Sequence, residues 1–472
     1  MLNESLMAYI GRMDSLPFIT DPTAPAVPIF ALRSSEWEHW SESRPEAMKR
    51  FAAAHDFKAQ AGRILLMPAT DGAIDRVIFG LGDKAGPISM GALAQHLPAG
   101  DYKLVAAPRE LAAGMIAIGW GLGAYAFYKY KKRKRPAPRL VLPEGADAAD
   151  VSRIVAASWL ARDLVNTPTN DMGPEALHAA AAEVARAGGA HLEAIVGDEL
   201  LTQNYPLIHA VGRAAAEAPR LLHLSWGAID APRVAIVGKG VTFDTGGLDI
   251  KPSSGMRIMK KDMGGAAHAL ALAQIVMDAR LPVRLDVFIP VVENSIAGDA
   301  FRPGDIIRSR KGLSVEIDNT DAEGRLILAD ALARASEDKP ALIFDFATLT
   351  GAARTALGPE IPPFFTDDEA LANDLFRASA DAFDPIWRLP MWDAYESDMD
   401  SPIADLKNTG DGAFAGSIFG ALFLRRFVDA PTWAHFDIYA WSPREKPARP
   451  VGGEAQALRA CWRVLKQRFG KA

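Results

Sequence analysis

The chain has 472 residues, 49% hydrophobic and 23% charged, the balance of ordinary globular material, and its length suits two or three domains. Its net charge of -6 opposes general attraction to nucleic acid. Its one cysteine, Cys461, excludes an internal disulfide and a cysteine-built zinc site, and fits a reducing cytoplasm.

The N-terminus carries Glu4 and lacks an apolar h-region, so no signal peptide is expected. Short apolar runs, Arg63-Ile64-Leu65-Leu66-Met67 and Lys103-Leu104-Val105-Ala106, alternate with helical and polar segments, which predicts a small α/β domain over 1–145. Residues 111–128 are free of charge and precede Lys129, Lys131, Lys132, Arg133, Lys134 and Arg135, imitating a membrane span with a positive flank. Gly114, Gly119, Gly121 and Gly123 lower its apolar content, so it is read as a buried helix and no membrane contact is expected. The basic cluster reads as a solvated helix end, with contact to nucleic acid or an anionic surface as the sharper alternative.

The proline-rich stretch 136–145 marks a boundary, and a helix over 148–164 opens the second domain, 146–472. There, apolar runs at 191–196, 221–224, 234–237, 283–291, 341–346 and 433–438 predict buried strands. Patterns at 174–187, 262–279, 323–335, 413–427 and 455–469 predict helices. This alternation gives an α/β fold: a C-terminal doubly wound domain with a mostly parallel sheet, preceded by a smaller α/β N-terminal domain. Ligands in such sheets bind at the carboxyl ends of the strands, where the charged motifs of this chain fall.

Three motifs carry those charges: Gly238-Lys239-Gly240-Val241-Thr242-Phe243-Asp244-Thr245-Gly246-Gly247, Lys260-Lys261-Asp262-Met263-Gly264-Gly265 and Asn319-Thr320-Asp321-Ala322-Glu323-Gly324-Arg325-Leu326. Each acid has a structural reading: Asp262 and Asp321 as N-caps, Asp244 as a turn residue and Glu323 as a first-turn glutamate. Together, four carboxylates in glycine-punctuated strand ends repel and call for a compensating cation, which two divalent ions would supply.

These residues resemble the leucyl aminopeptidases, the dinuclear metallo-exopeptidases also called cytosol aminopeptidase or aminopeptidase A. The third motif matches their signature without change. The resemblance runs through most of 150–440, including Leu164-Val165-Asn166-Thr167-Pro168, Lys251-Pro252, Arg302-Pro303-Gly304-Asp305, residues 347–352 and Trp433-Ala434-His435. It implies two divalent ions per subunit, Mn2+ or Zn2+, with Asp244 and Glu323 touching both, Asp321 completing one site and Lys239 and Asp262 the other. It further implies a charged Lys251 that polarises the scissile carbonyl, and an Arg325 that holds a bicarbonate as general base, with the backbone around Leu349 and Gly351 as further donors. Met259 and Thr348, with Leu349 and Gly351, would bind substrate, Met259 reading equally well as plain core. The expected activity is release of apolar, leucine-like first residues from peptides with a free N-terminus, in a cytoplasmic homohexamer. No HExxH helix offers a glutamate base, and none of the nine histidines has to be a ligand, His268 and His435 reading as packing or supporting residues.

The chain departs from the family pattern at Thr245, where serine is usual, and at Asp249, where a small polar residue is usual and a charge would tune Lys251 or the substrate amine. It departs again in Phe436-Asp437-Ile438-Tyr439-Ala440-Trp441 and in Pro450-Val451-Gly452-Gly453-Glu454. The alternative function is a DNA-binding architectural or regulatory protein of the same family.

Overall fold

The computed structural model describes residues 16–132 and 136–470. These fall into two compact units, 16–159 with Arg444–Val451, and Leu160–Pro443 with 452–470. Glu4, Arg133, Lys134 and Arg135 lie outside the described residues; Lys131 and Lys132 are exposed.

In the first unit, β1 (Phe18–Ile19), β2 (Val27–Arg33), β3 (Ile64–Pro68), β4 (Ile74–Gly82), β5 (Asp101–Ala106) and β6 (Arg139–Val141) form a sheet in the order β1-β6-β5-β2-β4-β3. All its pairings are parallel except β3 with β4. The charge-free segment forms a helix, Ala113–Gly123, of 11 residues. At 1.5 Å per residue it reaches only about half of a ~30 Å hydrocarbon core. Its glycines serve close approach: a Cβ on Gly123 would strike the Gly91 carbonyl, and one on Gly119 would lie 2.9 Å from Ile88 Cα. Among the described residues no helix is long and apolar enough to cross a membrane.

The second unit is built on β7 (His191–Val196), β8 (Arg220–Trp226), β9 (Arg233–Gly238), β10 (Gly240–Asp244), β11 (Arg284–Asn294), β12 (Ile306–Arg308), β13 (Ser314–Glu316), β14 (Leu342–Ala347), β15 (Pro363–Phe365), β16 (Trp387–Arg388), β17 (Leu406–Lys407) and β18 (Trp433–Asp437). The main sheet runs β16-β15-β18-β14-β9-β11-β8-β7, with β10 against the far half of β11, while β12, β13 and β17 form a small separate sheet. The inner pairings β18–β14, β14–β9, β9–β11 and β10–β11 are parallel, and antiparallel pairs appear only outside them. Every residue of β14 and β18 is buried, as expected of strands covered on both faces.

Two groups of helices cover this sheet. Glu323–Glu337 packs with Pro206–Gly212 and Gly416–Arg425, and Gly264–Asp278 packs with Pro174–Gly188 and Leu458–Phe469. The helix expected over 262–279 begins at Gly264, because Met259–Met263 winds more tightly as a 3-10 turn that buries Asp262. The helix expected over 413–427 begins at Gly416.

One irregularity positions the functional residues. β9 pairs with β14 as far as Gly238 opposite Phe346, and β10 restarts at Gly240 opposite Val291 of β11. Lys239 occupies the break, where its N–H donates to Phe346 O at 3.0 Å and its carbonyl accepts from Ala266 N–H at 2.8 Å. Gly265 closes the same corner.

A Cβ on Gly265 would strike the Phe346 carbonyl and lie 2.7 Å from Lys239 N. Gly265→Ala is therefore expected to cost about 1–3 kcal/mol or more, since backbone and not a flexible side chain must move. Gly298→Ala, with nothing within 4 Å, should stay within about 0.5 kcal/mol of wild type. Urea midpoints of the two variants check this.

Asp345 and His435 are register partners on β14 and β18. Asp345 Oδ1 lies 2.6 Å from His435 Nδ1, and Oδ2 accepts from Trp433 Nε1 at 2.6 Å. Burial disfavours the imidazolium, but Asp345 outweighs it and raises the His435 pKa. A raised folded-state value gives stability that is complete below the unfolded pKa of about 6.5 and is lost as pH rises through the folded value. Wild type should therefore lose melting temperature on going up from pH 6 in a way that Asp345→Asn does not.

Candidate metal centre

Four chain segments converge beyond the carboxyl ends of β9, β10 and β14. Asp244 ends β10, Asp262 comes from the tight turn before Gly264–Asp278, and Glu323 is the first residue of Glu323–Glu337, two places after Asp321. The residues preceding these two helices are Met263 and Ala322, with no side-chain cap bond, so neither Asp262 nor Asp321 serves as a cap. Gly246 and Gly247 take left-handed φ values of 88° and 65°, which glycine alone adopts without strain. This tight reversal carries Lys251 back to Asp244.

The carboxylate oxygens of Asp244, Asp262 and Glu323 lie within 4.8 Å of one another, and all three residues are buried. Lys239 Nζ stands 2.7 Å from Asp262 Oδ2 and 2.8 Å from Glu323 Oε1. Those approaches are short but poorly aligned, so neither oxygen gains a hydrogen bond. Lys251 Nζ is 2.7 Å from Asp244 Oδ2 and also contacts Asp321. The cluster thus divides into Lys239, Asp262 and Glu323 on one side and Lys251, Asp244 and Asp321 on the other.

The titration behaviour follows the crowding. Burial, then Asp244, pushes the Glu323 carboxyl up to about 8 and Asp321 to about 6. Burial disfavours the ammonium of Lys239, but Asp262, Glu323 and Asp244 outweigh it and hold its pKa well above the usual lysine value. For Lys251 the same balance against burial is set by Asp244, Glu323 and Asp321. Oxygen donors from four acids, one amine, and two buried carboxylate oxygens without hydrogen bonds form a donor set that fits hard or borderline divalent ions.

A second ring fixes these donors, and the motifs did not single out most of it. Asn294, at the end of β11, donates to Asp244 Oδ1 at 2.8 Å and Thr320 O at 3.1 Å. Asn408 accepts from the N–H groups of Asp318 and Asn319. Asp249, expected to tune Lys251 or the substrate amine, turns to the signature segment, its Oδ2 accepting from Thr320 N–H at 2.8 Å. Thr320 Oγ1 in turn donates to Gly246 O at 2.7 Å. His268 accepts from Gln456 N–H at Nε2 and meets Gly264 O at Nδ1, and burial lowers its pKa to about 4, so it acts as a neutral packing residue.

Arg325 is buried, donates through Nη1 to Asn408 O at 2.8 Å, and leaves Nε without a hydrogen-bond partner; burial lowers its pKa to about 10. Thr348 Oγ1 donates to Asp262 Oδ1 at 2.7 Å. The Leu349 N–H, expected to face an anion, donates instead to Asp437 Oδ1 at 3.0 Å, and Thr350 N–H does the same at 3.1 Å.

All of this opens on a cleft of about 560 Å³ lined by Lys239, Asp244, Lys251, Asp262, Asp321 and Arg325, with Met259, Lys261, Thr348, Leu349, Gly351, Arg354 and Tyr439. Glu323 lies behind it, 1% exposed. Every expected site residue therefore belongs to one constellation, and Lys261, Arg354 and Tyr439 are additions to it.

Residues 159–461 match the family model described as cytosol aminopeptidase family, catalytic domain, and 27–143 match that of the M17 aminopeptidase, N-terminal domain. A probable cytosol aminopeptidase of Syntrophotalea carbinolica is 43% identical over 312 residues, 65% of this chain and 63% of the relative, so the match spans less than two thirds of that relative's length. The crystal structure of cytosol aminopeptidase from Coxiella burnetii superposes with a TM-score of 0.91 at 44% identity, covering 96% of this chain and 99% of that one. The bottromycin maturation enzyme BotP, solved in complex with Mn, gives 0.85 at 33% identity over 94% and 99% of the two chains. Nothing in these comparisons supports the DNA-binding alternative.

Mn2+ at about 100 times its dissociation constant should stabilise the protein by about 2.7 kcal/mol. The expected readout is a rise in melting temperature, reversed by chelator and much reduced in Asp262→Asn. Because Lys239 and Glu323 hold protons here, uptake should release protons into weakly buffered solution.

Proposed function

The chain belongs to the cytosol aminopeptidase family of hydrolases, and from that premise we propose that it is a metal-dependent aminopeptidase that releases the first residue of peptides with a free N-terminus. The observation that carries the reading is the buried group of Asp244, Asp262 and Glu323, flanked by Asp321, Lys239 and Lys251, at the floor of a cleft large enough for a peptide end. We further take two divalent ions, Mn2+ or Zn2+, as the resident metals. Asp244 and Glu323 would be shared between them, Asp321 would complete one site, and Lys239 with Asp262 the other.

When bound, such ions supply a hydroxide at neutral pH and polarise the scissile carbonyl, while a bicarbonate on Arg325 would serve as proton acceptor. The unpartnered Nε of Arg325 supports that anion role. Lys251, half-buried and charged, would donate to the carbonyl oxygen as it gains negative charge, where a preorganised donor in a poorly solvated site is worth most. Asp262 would hold the α-ammonium of the substrate, which demands an unblocked N-terminus. Met259 and Thr348, both on the cleft wall, support a preference for apolar, leucine-like first residues. A cytoplasmic homohexamer, with functional domains at 1–145 and 146–472, belongs to the same proposal.

With Mn2+ or Zn2+ present, the protein should release p-nitroaniline from leucine p-nitroanilide, and chelator should abolish this. Glu323→Gln, which keeps the shape of the side chain, should lower kcat by about 100-fold or more. Robust turnover by that variant would rule the mechanism out.

A further inference from the structure

One wall of the cleft carries charge that the hydrolytic reading does not use. Lys261 is 2% exposed yet lines the cleft, and its ammonium makes no hydrogen bond to a described residue; its nearest carboxylate oxygen, Asp262 Oδ1, is 3.8 Å away. Its Nζ lies 5.3 Å from the centre of the Tyr439 ring, and the Arg354 guanidinium carbon lies 4.3 Å from that same centre. Arg354 is half-buried, donates through Nη1 to Thr350 O just before its own helix, and makes no ion pair among the described residues. Its Nη2 comes within 3.6 Å of where a Cβ of Gly351, an exposed residue of the cleft, would stand. Two cations thus share one aromatic ring, and among the described residues neither has a carboxylate in hydrogen-bond reach.

Buried or half-buried charge without a hydrogen-bonded partner is costly, and an anion brought into the cleft would lower that cost. Asp437 does not do so: its oxygens are engaged by Leu349 N–H, Thr350 N–H, Thr350 Oγ1 and Ser417 Oγ. Asp262 faces Lys239 and accepts from Thr348. Among the described residues, the donors of the wall without a carboxylate partner are therefore the Arg354 guanidinium, the Lys261 ammonium and the Tyr439 hydroxyl, a set suited to one carboxylate.

We propose that Arg354, Lys261 and Tyr439 form an anion-recognising wall that binds a carboxylate of the substrate, so that peptides bearing an acid near the scissile bond are preferred substrates alongside apolar ones. This rests on the aminopeptidase reading and names the substrate class of the same site. The carboxylate comes either from the side chain of an aspartyl or glutamyl first residue or from the C-terminus of a dipeptide. Arg354 supplies the fixed charge and is a specificity-determining residue, not a participant in hydrolysis.

The full-length protein with Mn2+ would be assayed on leucyl, aspartyl, glutamyl and lysyl p-nitroanilides, and on Leu-Gly against Leu-Gly-amide. The expected result is a glutamyl or aspartyl kcat/KM within about tenfold of the leucyl value, or the same advantage of Leu-Gly over its amide. The wild-type ratio should fall by about tenfold or more in Arg354→Gln. It should shift toward the lysyl substrate in Arg354→Glu, a change of preference that a merely structural role would not produce. Lys261→Gln, a smaller change of volume, gives a second reading of the same ratio should the Arg354 variants fold poorly. A drop confined to the anilide series assigns the side chain, and one confined to the dipeptide pair assigns the C-terminus. Turnover of leucyl substrates with both ratios unmoved by all three variants overturns the wall and leaves the aminopeptidase reading standing. No turnover of any substrate with metal supplied overturns both.

Discussion

The second unit is organised around the mutual repulsion of four carboxylates. Two unit charges 4 Å apart repel by about 4 kcal/mol at an effective dielectric of 20, and Asp244, Asp262 and Glu323 hold their oxygens within 4.8 Å while buried. The protein meets this with whatever cations it owns: Lys239 between Asp262 and Glu323, Lys251 between Asp244 and Asp321, and a proton that Glu323, at about 8, keeps at neutral pH. Each of these can be displaced. Freeing Lys239 of its proton at pH 7 costs about 4–5 kcal/mol from an ordinary lysine pKa. That value is raised here only because the acids around it are uncompensated, so any ion that neutralises them also lowers the cost of exposing the amine as a ligand.

The backbone follows from the same demand. A buried amine reaches both Asp262 and Glu323 here because its backbone sits among the strands, at the break between β9 and β10. Lys239 is pinned by Phe346 O on one side and Ala266 N–H on the other. Gly324 serves the facing helix, since a Cβ there would lie 2.5 Å from Lys239 Cε. Gly324 thus marks a place where backbone must come within contact of a charged side chain, while Gly238 and Gly265 mark places where backbone meets backbone.

This explains how much of the fold and site was legible in the sequence. Strand 191–196 coincides with β7, because its limits are marked by a glycine pair and a turn, and the ligand candidates were readable because they sit in short glycine-flanked motifs. Asn294, Asn408 and Asp437 were not, since each reaches the site from a segment whose local pattern is that of an ordinary strand end or loop. Their role exists only through contacts tens of residues apart in the chain. Asp249 shows the reverse case: its proximity to Lys251 in sequence suggested an electrostatic role, whereas the left-handed turn at Gly246 and Gly247 points its carboxylate at Thr320.

The segment Phe436 to Trp441, which departs from the family pattern, meets the turn that carries Asp262. Tyr439 and Trp441 stand against successive lysines of the turn before the central helix, Lys261 at 5.3 Å and Lys260 at 5.6 Å. Lys260 also donates to Asn166 O at 2.6 Å. Cation–π contacts of this kind contribute about 0.5–2 kcal/mol each, more when desolvated. They let the lysine beside Asp262 remain in a cleft wall that burial would otherwise make hostile to it. With a small residue in place of Tyr439, Lys261 would lose the ring that adds to the support its charge has from Asp262. The aromatic pair and the lysine pair thus meet from two distant segments, and Tyr439 with Lys261, beside Arg354, makes up the proposed anion-recognising wall.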